Sequence, residues 1–314
     1  MIRYERVPEP PETRYHANNE IDLRQLFTTL WQGKWIIVAT TILFAVAGVF
    51  YALSKPNIYQ ASVLLAPAQN EGNSSGISGQ LGGLASLAGI NLGGGGGSNK
   101  TIMAKEVLQS RVFLTEFIHR HNLSVPLMAT EAWNMKSQSW VIDPEIYSLE
   151  TGEWRQDDEG ESLKPTEWDM VKKFKNRHLS LSENKETGMV NLKLKSLSPL
   201  VAKEWANLLV RDINEHMRRQ DVKDAEARIA YLEEKLNETN IAGMQQVFYQ
   251  LIESETRTVM LANAQNEYVL KTIDPAVVPQ EKSEPKRALI CAVITLLGGM
   301  LGVLIVFIKA SINN

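Results

Sequence analysis

The chain has 314 residues, a formal charge of −3 and 22% charged residues. Without a basic excess it lacks the electrostatic footprint of a nucleic-acid binder, and its single cysteine, Cys291, excludes a disulfide framework. The five histidines, His16, His119, His121, His178 and His216, lack the spacing of a structural metal site.

The head, residues 1–34, carries Arg3, Arg6, Arg14, Arg24 and Lys34. Within 20–31, Ile21, Leu23, Leu26, Phe27 and Leu30 include helical spacings. Asn19 suits a cap and Asp22 a first turn, so an amphipathic helix on the inner membrane face is expected. Residues 35–53 are uncharged and long enough for a first transmembrane helix. Trp31, Trp35 and Tyr51 stand where interfacial aromatics belong. A cleaved signal peptide is the alternative, disfavoured because signal apolar regions run only about 7–15 residues.

Residues 58–66 are rich in β-formers and predict a strand ending at Pro67. Residues 69–98 are dominated by Gly and Ser, with an apolar island at 81–92, and such composition builds no core. A glycine run precedes Lys100-Thr101, but Asn99 stands where a phosphate-binding loop needs Gly, so no nucleotide site is expected. Residues 102–122 read as one helix with Leu108, Val112, Phe113 and Phe117 on its apolar face. Residues 124–164 read as irregular and hold Trp133, Trp140 and Trp154, with Trp168 close behind. These aromatics could stack sugar rings, but filling small satellite cores is the favoured reading.

A short helix over 167–177 comes next. Residues 179–182 and 189–197 alternate around a turn at 184–188, predicting a hairpin in an antiparallel sheet covered by helices on one face. Ser198-Pro199 then opens a long helix running to about Asn240. Trp205, Leu208, Leu209, Ile213 and Met217 form its lower stripe. Val222, Ala225, Ile229, Leu232 and Leu236 form a coiled-coil-like upper one. Gly243 breaks the pattern, and a return helix over 244–269 runs through Val247, Leu251, Val259, Met260 and Leu261. Arms this long should project as an antiparallel hairpin whose narrow stripe neighbouring subunits cover.

Pro275, Pro279 and Pro285 predict a stiff extended strap, with Pro285 suited to the first turn of the next helix. That helix, 288–308, is uncharged and roughly 31 Å long, matching a hydrocarbon core of about 30 Å. Gly298 and Gly302 give it a close-packing face for the first span, another subunit or a partner protein. The basic head places both termini inside and the segment between the spans outside. Lys282, Lys286 and Arg287 disagree with that rule, and their position at a helix N-terminus is electrostatically unfavourable. Contact with lipid phosphate would account for them. No Ser/His/Asp or Cys/His constellation emerges, so no catalytic residue is expected.

The run Pro275-X3-Pro279-X5-Pro285-Lys286-X11-Gly298-X3-Gly302 resembles the proline-rich segment and second span of the Wzz-type polysaccharide co-polymerases. Glu284 separates Ser283 from Pro285, where the family usually has Ser-Pro-Lys. Residues 20–35 resemble the family's entry to its first span, 198–207 and 231–236 its long helix, and 253–263 its return arm. The resemblance implies an α+β membrane protein: two transmembrane helices (35–53 and 288–308) flanking a periplasmic α/β base, with a long protruding helical hairpin. The base would span 54–197, with 274–287 returning to it. The protrusion would span 198–273, and residues 1–34 and 309–314 would be cytoplasmic.

It further implies a homo-oligomeric ring in the bacterial inner membrane, without cofactor, metal or catalysis. The ring would set the modal length of O-antigen chains grown on a lipid carrier by a Wzy-type polymerase, with Pro275, Pro279, Pro285, Lys286, Gly298 and Gly302 forming the stalk and packing motif. Enterobacterial common antigen, capsule or exopolysaccharide export is the alternative. Family members governing capsule or exopolysaccharide carry, or pair with, a cytoplasmic tyrosine kinase. The lack of a Walker motif and the short tail make that branch the second expectation.

Overall fold

The computed structural model describes residues 30–68 and 96–312, so most of the expected head helix and of the Gly/Ser-rich insert, including its apolar island, lie outside the described residues. In chain order the elements are α1 (Lys34–Ser54), β1 (Tyr59–Pro67), α2 (Gly96–Leu108), α3 (Arg111–Arg120) and α4 (Ser124–Met128). The short strands β2 (Thr130–Asn134), β3 (Ser139–Ile142), β4 (Tyr147–Ser148) and β5 (Glu153–Trp154) come next. Then follow α5 (Glu167–Lys173), a π-helical turn (Phe174–His178), β6 (Leu179–Glu183) and β7 (Val190–Ser196). The chain ends with α6 (Pro199–Glu238), α7 (Ala242–Ala264), β8 (Leu270–Asp274) and α8 (Arg287–Ile312). Two compact units result. One joins the segment up to Lys55 with the segment from Lys286 onward, and the other runs from Pro56 to Pro285.

The first unit is a pair of apolar helices, α1 and α8. Both are long and apolar enough to cross a membrane, with mean hydropathies of 2.4 and 2.7.

The second unit is built on an antiparallel four-stranded sheet in the order β6-β7-β1-β8. Alternation explains its burial: Val190, Leu192 and Leu194 of β7 point inward with Ala61, Val63 and Leu65 of β1. Val63 stands opposite Leu192, and Leu192 opposite Leu181. The β6–β7 turn forms where the sequence places it. The Asn184 side chain accepts from the amides of Glu186 (2.9 Å) and Thr187 (3.3 Å), and Gly188 supplies a positive φ of 68°. The lower half of α6 packs across β1 and β7, and one core joins the sheet to Phe113, Leu114, Phe117 and Ile118 of α3, to Phe174, and to Trp205, Leu209, Ile213 and Met217 of α6.

Several expectations are corrected. Residues 102–122 are not one helix: the chain breaks after Leu108, and Ser110 caps α3 by accepting from the amide of Phe113 (3.3 Å). Residues 124–164 are not irregular but hold α4 and two small hairpins, each closed by an aromatic pair. Trp133 meets Trp140 at 4.8 Å between centroids, and Tyr147 meets Trp154 at 5.2 Å. The helix expected over 167–177 stops at Lys173 and widens into the π-turn. The return helix expected over 244–269 ends at Ala264, and residues 270–274, assigned up to 273 to the helical protrusion, form the edge strand β8. The return-arm stripe is also shifted. On α7 the covered positions are Phe248, Ile252, Val259 and Ala262, whereas Val247, Leu251, Met260 and Leu261 are exposed. On α6 the expected upper stripe is covered: Ala225 is buried and Val222, Ile229, Leu232 and Leu236 are half-buried.

Strand β8 is held by a buried amide. Asn214 of α6, 3% exposed, accepts from the amides of Val269 (2.8 Å) and Leu270 (3.0 Å). It donates to the carbonyls of Leu270 (2.9 Å) and Val210 (3.1 Å), so all its hydrogen-bonding capacity is used. Asn214→Ala would leave these buried backbone groups unpaired, at about 1–3 kcal/mol per group before relaxation. In urea titrations of residues 56–285, this variant should lose about 3 kcal/mol of stability, against less than about 0.5 kcal/mol for an exposed control such as Lys203→Ala.

His178 gives this unit an acid-sensitive point. Its ring stacks on Phe174 (6.0 Å, 19°), lies 5.9 Å from Trp205, and its Nδ1 meets the Lys195 carbonyl at 2.8 Å. Burial pushes its pKa down to about 4, Lys173 and Arg177 push the same way, and the Lys195 carbonyl opposes them. The unfolded chain therefore takes up this proton first, near pH 6.5, so the stabilisation is full above that pH and is lost as pH falls towards 4. Between pH 7 and 4.5 the unit should lose of order 2 kcal/mol through this group, and His178→Phe should flatten that part of the stability profile.

Candidate functional site

In a bilayer no hydrophobic force draws two apolar helices together, so close packing has to do so. Four glycines of the membrane-type unit make such packing possible. A Cβ on Gly298 would overlap the Cβ of Phe44 and lie 2.7 Å from its ring Cγ. On Gly302 it would collide with the Thr40 hydroxyl and lie 3.0 Å from the Ile37 Cα. Gly33 meets Val306 in the same way, and Gly48 meets Ile294. Of the three neighbours left open for Gly298 and Gly302, the structure shows the first span of the same chain. The Thr40 hydroxyl is satisfied within α1 by the carbonyls of Ile36 (3.0 Å) and Ile37 (2.9 Å). Arg287, unfavourable at the start of its own helix, donates from Nε to the Ala52 carbonyl (3.1 Å) in the last turn of α1, where a cation complements the helix dipole.

The prolines lie in the other unit. Pro275 is exposed directly after β8, Pro279 and Pro285 are half-buried, and Pro285 is that unit's last residue. Because α8 starts at Arg287, Pro285 stands outside its first turn, and the Lys286 carbonyl accepts from Ile290 (3.1 Å). The end of the strap is sewn to the start of β1. Ser283 donates to the Ile58 carbonyl from its amide (2.8 Å) and hydroxyl (3.0 Å), and the Ile58 amide donates to the Glu284 carbonyl (2.9 Å). The Glu284 carboxylate pairs with Lys195. Thus the structure does not gather the six expected residues into one place: Gly298 and Gly302 form a helix contact, Lys286 is exposed at the entry to α8, and the prolines pace a braced segment.

Polar contacts that the sequence did not single out tie α6 to its neighbours. Lys100, tested above as a phosphate ligand, binds the Asp221 carboxylate at 2.6 Å and the Tyr268 hydroxyl at 3.0 Å. Tyr268 donates to the same Asp221 oxygen at 2.6 Å. Burial works against the Lys100 charge, but Asp221 and Tyr268 outweigh it and raise its pKa. Burial and Asp221 raise that of Tyr268, which keeps the phenol proton available to donate. Asp212, 3% exposed, is met by Arg120 (3.1 Å) and by Nε2 of His121 (2.8 Å). The signal for these residues is a charge or amide beside the apolar stripe of α6, which burial requires to be paired. Among the described residues no group of His, Cys, Asp or Glu could hold a metal ion. Trp140 lies 6.4 Å from Trp205, while Trp168 is exposed beside the Lys172 ammonium (4.3 Å). What these contacts can do is fix geometry.

The helix contact is directly measurable. A Cβ at position 48 would lie 3.2 Å from that of Ile294, close to disulfide range. In a Cys291→Ser background, a Gly48→Cys, Ile294→Cys pair should form an intramolecular disulfide efficiently. Adding Gly302→Leu should cut its yield severalfold while the chain still accumulates in the membrane fraction.

Comparison with known proteins meets this architecture at both ends. Residues 19–121, which reach from the head through α3, match the Wzz family, "Chain length determinant protein". Residues 238–311, which cover α7, β8 and nearly all of α8, match GNVR, "G-rich domain on putative tyrosine kinase". Tyrosine-protein kinase Etk of Escherichia coli K12 is 33% identical over 105 residues, 33% of this chain and 13% of the kinase. Tyrosine-protein kinase Wzc of Salmonella typhimurium is 37% identical over 58 residues, 18% of this chain and 8% of that protein. The aligned part of the chain therefore spans only a small fraction of these relatives. A solved full-length bacterial polysaccharide co-polymerase aligns over 93% of this chain and 99% of its own, at 12% identity and a TM-score of 0.39. The chain is thus similar to the Wzz chain length determinants over its first third and to the GNVR domain near its other end, one match on each side of most of the long helix.

Proposed function

We propose that this chain is a non-enzymatic regulator of polysaccharide chain length in the bacterial inner membrane. Both termini face the cytoplasm and residues 54–287 face the periplasm. It works as one subunit of a homo-oligomeric ring beside a Wzy-type polymerase and its lipid-linked product, which we assign to O-antigen lipopolysaccharide. The Wzz match over 19–121 is the observation that carries this reading. The exposed apolar residues of α7 support the ring, because symmetric assembly would cover them. The basic head supports the orientation. Control would be geometric, through the Gly298–Gly302 contact and the braced strap ending at Pro285 and Lys286.

A second reading has a specific observation behind it. The relatives above are tyrosine-protein kinases, and the GNVR match points the same way. That favours the kinase-linked branch set second by the sequence, in which the product is a capsular or exported polysaccharide.

Two experiments test these proposals. A periplasm-active reporter fused after Arg120 should be active and one fused at Asn314 inactive; the reverse pattern would sink the orientation. Deleting the gene should collapse the preferred band length in the lipopolysaccharide ladder. Gly298→Leu, Gly302→Leu and Pro285→Ala should shift or broaden it at matched protein levels. An unchanged ladder with an altered size distribution of secreted polysaccharide would establish the second reading in its place.

A further inference from the structure

The membrane-type unit carries an excess of positive charge. Among its described residues Lys34, Lys55, Lys286, Arg287 and Lys309 are cationic, and no Asp or Glu occurs. Lys34 and Lys309 belong to one end of the helix pair. Lys55, directly after α1, belongs to the other end with Lys286 and Arg287. Arg287 is engaged with the Ala52 carbonyl, and Lys55 lies over the Tyr51 ring at 4.9 Å, whereas Lys286 is exposed. Among the described residues of the unit, this end therefore has no carboxylate to balance it.

On the same pair an apolar groove of about 930 Å³ runs along α8 from Cys291 through Thr295, Gly299 and Val303 to Phe307, with Thr41 of α1 at its edge. That volume lies within the ~300–1,000 Å³ range of small-ligand sites. The Thr41 hydroxyl donates to the Ile37 carbonyl (2.7 Å), so its proton is already used within α1. Gly299 is open, unlike its neighbour Gly298: a Cβ there would touch only the Thr41 hydroxyl, at an ordinary 3.5 Å. Arg287 precedes Cys291 by four residues and so heads the same helix face.

We infer that the groove and the Lys55–Lys286 end together bind one anionic phospholipid of the bilayer, with an acyl chain along Cys291–Thr295–Gly299–Val303 and the headgroup phosphate at the two lysines. Charge complementarity selects this occupant. A neutral lipid or an apolar helix would fill the groove but leave the lysines without counter-charge, whereas anionic lipid surfaces attract each nearby Lys or Arg with about 1 kcal/mol. The inference rests on the membrane placement proposed above.

The test uses the full chain, purified in mild detergent, delipidated and analysed by native mass spectrometry after adding phosphatidylglycerol or phosphatidylcholine of the same acyl length. Wild type should retain one phosphatidylglycerol per chain in preference to phosphatidylcholine. Lys55→Gln with Lys286→Gln should weaken phosphatidylglycerol retention by roughly thirtyfold, to the level of the neutral lipid. Gly299→Leu, which fills the groove and meets α1 only at Thr41, away from the tight Gly298 and Gly302 contacts, should reduce retention of both lipids. Equal retention of the two lipids by wild type, or unchanged binding by Gly299→Leu, would overturn the inference. So would ready formation of a Cys291–Cys291 disulfide between copies in oxidised membranes, because a second copy would then occupy the groove. A chain recovered in the soluble fraction would refute the membrane placement. A chain needing detergent but showing no headgroup preference would refute this inference alone.

Discussion

Everything in this chain depends on how its two passages between the units are held. The chain leaves the helix pair at Lys55 and re-enters it at Lys286, and each unit fastens that junction for itself. In the helix pair, Arg287 donates to the last turn of α1 at Ala52. In the other unit, Ser283 and Glu284 pair with Ile58. These contacts lie within a few residues of the crossings, each inside its own unit. The glycine contacts with Phe44, Thr40 and Ile37 then set the separation of α1 and α8, with backbone as one of the abutting surfaces. A flexible side chain could yield to a larger neighbour, but a helix backbone at 3.0 Å has to move as a whole.

The long helix α6 does two jobs in sequence. Its lower half is a core helix, burying Trp205, Leu209, Ile213 and Met217 with the sheet, and its upper half pairs with α7. Where the partner changes, polar groups take over. Asp212 collects Arg120 and His121, Asn214 completes the start of β8, and Asp221 gathers Lys100 and Tyr268. Buried polar groups cost free energy unless paired, and here the pairing specifies which segment of a returning chain docks against which turn of the helix.

What the sequence reveals follows from how local the determining physics is. The β6–β7 hairpin is legible because alternation and an Asn–Gly turn lie within one short stretch. The start of α6 is legible because Ser198 and Pro199 form a cap, with the Ser198 hydroxyl accepting from Val201 (3.3 Å). Strand β8 is not legible: its residues, Leu270–Asp274, are few, and what ends the approach to it is Asn214, far away in sequence. The break at Ser110 hides inside a continuous apolar periodicity. For the candidate site, the spacing of Gly298 and Gly302 announces a close approach but cannot name the neighbour. Lys100 can be rejected as a phosphate ligand from Asn99, yet its true partners lie more than a hundred residues further along.

The shifted stripe of α7 carries the same lesson into function. A helix paired with one partner covers a single seam, and on α7 that seam is Phe248, Ile252, Val259 and Ala262. Met244, Val247 and Leu251 form a second row with the same three-and-four spacing, and Met260 and Leu261 extend the apolar surface towards the end of the helix. Such an arc is wider than α6 can cover, and long charged side chains only edge it, as in the Glu253–Arg257 pair at 3.1 Å. In the sequence the uncovered row is as periodic as the covered one. Periodicity reports that a face is apolar, and the identity of what covers it is a separate fact. Two apolar rows on one helix, one satisfied within the chain and one not, is the pattern expected of a subunit that continues its packing into a neighbour.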